Sequence, residues 1–242
     1  PAAAADIDGM TRLLHECFDA GAIGMSTGLQ YFPGLCSDTG ELVRLAKVVH
    51  DRDGVFTSHL RSYNQSTMER ALDEVVEISR RAEVPVQVSH LFIVPELPFG
   101  LFGAAKVALR AASRLYAHRP FHAPLGGILQ SFVDRATRHA DAGLPLGFDA
   151  MPTSAAFTHL LAFLPPWAMR GGLGQVIERL KDRPTRARIR ASIEHGETRW
   201  PHRGPDSWSL NLLRLLGYDC VVVMSVKSAA NQGLIGKSIA QI

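Results

Sequence analysis

The sequence predicts an α/β protein built on a parallel sheet, and three observations carry that prediction. Short apolar runs of strand length alternate with longer segments of helical periodicity, which is the pattern of βαβ units. Two hexapeptides one βα repeat apart, Val55-Phe56-Thr57-Ser58-His59-Leu60 and Val86-Gln87-Val88-Ser89-His90-Leu91, share four of six residues. Across 242 residues five strand candidates occur, fewer than the eight that close a (β/α)8 barrel in about 250 residues.

The elements follow in order. Leu13, Leu14, Cys17 and Phe18 recur at helical spacing between Met10 and Ala20, and Gly21 follows as a stop. Ala22 to Ser26 is a first strand, running into a Gly-rich loop from Thr27 to Gly34. Ser37 or Asp38 caps a helix whose Leu42, Leu45, Ala46 and Val49 share a face. Val55 to Ser58 is the second strand. Ser66 or Thr67 opens a helix through Ala71, Val75, Ile78 and Ala82, which Pro85 closes, and Val86 to Ser89 is the third strand. Beyond residue 90 the rhythm loosens. Helices are expected at Leu101–Tyr116, Ile128–Ala142, Ala155–Leu164, Val176–Leu180, Thr185–Glu194 and Trp208–Leu216, with strands at Leu146–Asp149 and Cys220–Met224.

Composition narrows the function classes. Hydrophobic residues make up 46% and charged residues 20%, enough apolar material for a large core and too much for a disordered chain. Lys and Arg number 26 against 23 Asp and Glu, a net charge of +3, too small a surplus to indicate nucleic acid. The basic run from Arg179 to Arg190 reads as a solvated helix face, with an anion contact as its alternative. Three cysteines without a CxxC pair argue against a disulfide framework and for a reducing, cytoplasmic setting. No apolar run reaches the ~18 residues of a membrane span, and the start lacks the features of a signal peptide. Gly236-Lys237-Ser238 imitates part of a phosphate-binding loop, but Asn231 stands where that motif needs glycine.

The chemistry-bearing feature is the repeated strand-end histidine. Neighbouring parallel strands lie ~4.8 Å apart, so equivalent positions would place His59 and His90 side by side at the carboxyl edge, where α/β sites are built. Imidazole is the commonest zinc ligand, and two so placed suit one shared ion or one of each of a close pair. The alternative is two unrelated strand-end residues. Asp149, at the end of the fourth strand, is a further candidate, or else a cap of the turn that follows.

Residues 21–34, GAIGMSTGLQYFPG, resemble the GAxGxSTGLxYxPG block of the N-acyl-D-amino-acid deacylases, the D-aminoacylase branch of the metal-dependent amidohydrolases. The likeness continues through Thr57-Ser58-His59-Leu60-Arg61 and Val86 to Leu91. Weaker similarities follow: Asp149 with Pro152 to DxYPY, Leu164-Pro165-Pro166-Trp167 with Gly171-Gly172 to LPxWxxxGG, and Asn231 with residues 236–242 to N…GKSLxEI.

The resemblance implies a partial TIM-type (β/α)8 barrel, central to later strands only, with residues 1–242 an internal fragment of the catalytic barrel. It implies zinc-dependent hydrolysis of the amide of an N-acyl-D-amino acid, with one or two zinc ions in the full-length protein. His59 and His90 match the family's metal ligands, and Tyr31, Arg61 and Asp149 fall where substrate is bound. Arg61 suits a substrate carboxylate, with a structural role as the alternative. The departures are as specific. The family's His-x-His motif and bridging Cys have no counterpart here, and its catalytic Asp would lie beyond Ile242. Phe92 replaces the Lys of SHLK, Met151 the first Tyr of DxYPY, and Thr153 the second. A segment near 97–124 reads as an insertion. The fragment alone is therefore expected to be inactive. Alternatives are a cyclic-amide hydrolase of hydantoinase or dihydropyrimidinase type, and a non-catalytic domain that binds such a ligand. A small N-acyl amino acid is the expected partner; neither nucleic acid nor membrane is.

Overall fold

A computed structural model describes residues 2–94, 126–151, 156–196, 208 and 210–242. The helix expected at Leu101–Tyr116 and the insertion near 97–124 lie outside the described residues. The chain divides into two compact units, Pro1–Ser154 and Ala155–Ile242.

In the first unit α1 (Ala4–Asp19), β1 (Gly24–Gly28), α2 (Thr39–His50), β2 (Val55–His59), α3 (Met68–Ala82), β3 (Val86–Leu91), α4 (Gly126–Asp141) and β4 (Leu146–Ala150) follow one another. All strand pairs are parallel and the sheet order is β1-β2-β3-β4. Each crossover steps to the adjacent strand, which is the singly wound order of a (β/α)8 barrel and not the reversing order of a doubly wound sheet. The expected α/β class holds, as an arc of four strands.

Burial explains the helices. α2 buries Leu42, Val43, Leu45, Ala46, Val48 and Val49, and Asp38 caps it by accepting from Glu41 N–H at 2.8 Å. α3 buries Met68, Leu72, Val75, Val76 and Ile78 on one side while Arg80 and Arg81 occupy its last turn. Phe56, Ser58, Val86 and Val88 form the buried face of the sheet. Thr57, His59 and Gln87 alternate with them on the other face. Gly147 serves that second face, since a Cβ there would collide with Gln87 Oε1.

The second unit departs further from expectation. Its helices are α5 (Gly172–Lys181), α6 (Arg183–His195) and the short α7 (Leu212–Leu216). The helix expected at Ala155–Leu164 shrinks to a 3-10 turn at Leu160–Phe163. Leu164 precedes Pro165 and is extended, at φ −89° and ψ 145°, so the turn stops there. Cys220–Met224 is not a strand; Val222 makes one antiparallel bridge to Ser238, and both Val222 and Met224 are exposed. Its pairing stops at three backbone hydrogen bonds between residues 221–223 and 236–239, too short a ladder for a strand. Gly236-Lys237-Ser238 accordingly follows no strand and leads only into a 3-10 turn at Ile239–Gln241. His159, expected on a helix, is exposed outside one.

The basic run is largely spent within its own unit. Arg179 donates to the carbonyls of Ala168 and Arg170, and Arg186 to those of Leu180 and Lys181. Arg188 lies 4.1 Å over the Trp167 ring, and Arg190 pairs with Glu194 at 2.9 Å.

Candidate active site

The two histidines meet, though not by the route that the matched hexapeptides suggest. The register pairs Phe56 with Val86, Thr57 with Gln87 and Ser58 with Val88, so the next step sets Ser89, not His90, opposite His59. A slip of one residue turns a side chain to the opposite face of a sheet. β3 cancels the slip with an extra residue. From Val88 to Leu91 it advances three positions while β4 advances two, from Phe148 to Ala150. His90 sits in this bulge at φ +48°, a left-handed backbone uncommon outside glycine. Its imidazole returns to the His59 side, with ring centroids 5.2 Å apart and edge-on.

Asp149 holds the bulge. Its Oδ1 accepts the backbone N–H of His90 at 2.6 Å, and its Oδ2 accepts from Gln87 Nε2 at 3.4 Å. The His90 Nδ1 lies 3.9 Å from Oδ1. Asp149 thus clasps β3, the strand that carries His90, at two points and is about half exposed.

His59 is more enclosed. The Tyr31 ring lies 5.0 Å away, tilted, and the Tyr63 ring 4.8 Å away, edge-on. Gln30 Oε1 lies 2.9 Å from His59 Nε2. Burial, and then the neighbouring His90, lower the His59 pKa to about 4 from its ordinary 6.5, so the ring is neutral at neutral pH.

Tyr63 is fully buried against the His59 ring. Its hydroxyl accepts from Leu60 N–H at 2.9 Å and donates to Ser89 O at 2.7 Å, which ties the ends of β2 and β3 together. Burial holds that hydroxyl protonated, above the usual phenol range. Phe92 stacks on the other side of Tyr63, with centroids 4.3 Å apart and planes within 11°.

Arg61 follows the strand end but is 4% exposed. Its Nε and Nη2 donate to the Glu74 carboxylate at 2.8 and 2.9 Å, and Nη1 donates to Leu35 O at 3.1 Å. Glu74 also accepts from Thr39 Oγ1. The guanidinium therefore joins α3, the start of α2 and the Gly-rich loop.

The arrangement brings together His59, His90, Tyr31 and Asp149, and turns Arg61 to Glu74 and Leu35 O. Gln30 and Tyr63 had escaped the sequence reading. Gln30 occupies an unspecified position of the motif at residues 21–34. Tyr63 lies in a loop where no periodicity marks burial, and its one signal is an aromatic four residues after the strand-end histidine. Imidazoles fit zinc chemically, but a catalytic zinc usually takes three protein ligands. Among the described residues no three His, Cys, Asp or Glu side chains are placed to hold an ion.

Known proteins are similar to part of this chain. N-acyl-D-glutamate deacylase of Alcaligenes xylosoxydans xylosoxydans is 41% identical over 81 residues, covering 34% of this chain and 16% of that enzyme. D-aminoacylase of the same organism is 32% identical over 95 residues, covering 39% of this chain and 19% of its own length. The matched stretch thus spans less than a fifth of these curated relatives. The structure of N-acyl-D-glutamate deacylase from Bordetella bronchiseptica, complexed with zinc and a phosphonate inhibitor, is similar at 26% identity with a TM-score of 0.45. That likeness covers 63% of this chain and 26% of that one. No family model matches the chain.

Proposed function

We propose that this chain, a relative of the N-acyl-D-amino-acid deacylases, contributes part of the active site of a hydrolase that cleaves the amide of an N-acyl-D-amino acid with the help of zinc. The observation that supports this reading is the pair of imidazoles at the carboxyl ends of adjacent parallel strands, 5.2 Å apart, in a chain similar over part of its length to the deacylases. His59 and His90 would hold the metal, which when bound polarises a carbonyl and lowers the pKa of water.

The other residues take supporting roles in this proposal. Tyr31, packed against His59, lines the substrate side. Asp149 keeps His90 turned toward His59 and borders the same space. Arg61 would serve the substrate through the loop it anchors, since its charge already faces Glu74.

A second reading is a domain that binds an acylated amino acid without turning it over. It is favoured by the two-imidazole donor set. The whole protein, loaded with zinc and given N-acetyl-D-, N-acetyl-L- and cyclic-amide substrates, separates these readings. The proposal expects hydrolysis of the D-amide. Turnover of the cyclic amides alone would transfer the protein to the hydantoinase class, and binding without turnover would favour the second reading. For the 242-residue chain alone we expect no hydrolysis, and less than one zinc per chain by metal analysis.

Among the described residues no helix is long and apolar enough to cross a membrane.

A further inference from the structure

Gln30 raises a question that the motif does not answer. It is 8% exposed, its Oε1 faces the His59 ring at 2.9 Å, and its own Nε2 is buried without a hydrogen-bond partner. A buried amide N–H left unpaired costs about 1–3 kcal/mol, so such a group in a native site calls for an explanation.

The amide is held in this orientation by its other atom, the oxygen that meets His59. An amide oxygen accepts and has no proton to give. The bond between Gln30 Oε1 and His59 Nε2 therefore exists only when Nε2 carries the hydrogen, and a neutral imidazole carries one. Nδ1 then holds the lone pair. Among the described residues no hydrogen bond reaches Nδ1, and the rings packed around His59 (Tyr31, Tyr63 and His90) leave Gln30 as its hydrogen-bonding side chain. The partner of one ring nitrogen decides which nitrogen remains available to a metal or a proton.

We propose that Gln30 is a positioning residue that holds His59 as the Nε2–H tautomer, so that the ring presents its lone pair only through Nδ1. The assignment of that lone pair to a metal rests on the deacylase reading above; the tautomer does not.

The test is nitrogen-15 NMR of the histidine rings of this chain at pH 7.5, without metal. The expected result is His59 as a single Nε2–H tautomer, with that proton protected from exchange. Gln30→Leu should speed its exchange about tenfold, the equivalent of one lost hydrogen bond. Gln30→Glu keeps an acceptor oxygen and should keep the protection. An Nδ1–H ring in the wild-type chain, or a wild-type mixture of both tautomers without a protected proton, overturns the proposal even if Gln30→Leu fails to fold. Because the readout needs neither metal nor substrate, a whole protein inactive on N-acyl-D-amino acids would sink the deacylase reading alone.

Discussion

At the end of β2, His59 extends a regular strand, half-buried, with Gln30 on one nitrogen and tyrosine rings on two sides. At the end of β3, His90 stands about half exposed on an extra residue with left-handed backbone, held at its N–H by one carboxylate. The same residue type thus reaches the same edge by two constructions. The first is held by packing from several elements, and the second by local geometry and a single hydrogen bond. The contrast teaches that matching sequence at two strand ends does not imply matching backbone, because pairing register is set by the whole sheet.

The comparison can be broken first at the support of β2. Arg61→Ala leaves Glu74 buried without its partner, and should cost about 3–5 kcal/mol of stability in urea unfolding. A loss below 1 kcal/mol would show that the pair is not structural. Next comes pH. The folded His59 ring has its pKa lowered to about 4, whereas the unfolded ring stays near 6.5. Between those values the unfolded chain binds the extra proton, so the stability due to neutral His59 is full above pH 6.5 and falls as pH drops toward 4. The loss should be on the order of 2 kcal/mol, read as a stability difference between wild type and His59→Gln that narrows with acidification. A difference that stays flat from pH 7.5 to 4.5 would contradict it.

Tyr63→Phe bears on both strand ends, because it removes the hydroxyl that bridges Leu60 N–H and Ser89 O. The expected loss is about 2 kcal/mol, with faster amide exchange at Leu60. Asp149→Ala should affect β3 alone. It should cost about 1 kcal/mol and expose the His90 amide to exchange, while the His59 amide stays as protected as before. The smallest effect carries the opposite sign. His90→Gly removes a Cβ from left-handed backbone and should stabilise by about 0.5–1 kcal/mol in the absence of metal. Destabilisation by that variant would mean that the imidazole itself holds the bulge.

The second unit shows where sequence periodicity loses its power. Leu42 to Val49 and Ala71 to Ala82 were legible as buried faces because one side of a regular helix meets one core. Cys220–Met224 has strand composition but pairs only through one short bridge to Ser238, and the Ala155–Leu164 pattern ends at a proline. A run of residues reports what it could form, and only its neighbours decide whether it does.

From sequence alone came the α/β class, the first four strands with their helices, and the two histidines at strand ends, because these rest on local spacing and on a motif of contiguous residues. The tertiary structure decided the rest. The one-residue offset between β2 and β3, the bulge that undoes it, the clasp of Asp149 on His90 N–H, and the withdrawal of Arg61 to Glu74 all join residues far apart in the chain. Strand spacing made the meeting of the two imidazoles plausible, but the meeting depends on a backbone angle at one residue, and no composition or period encodes that angle.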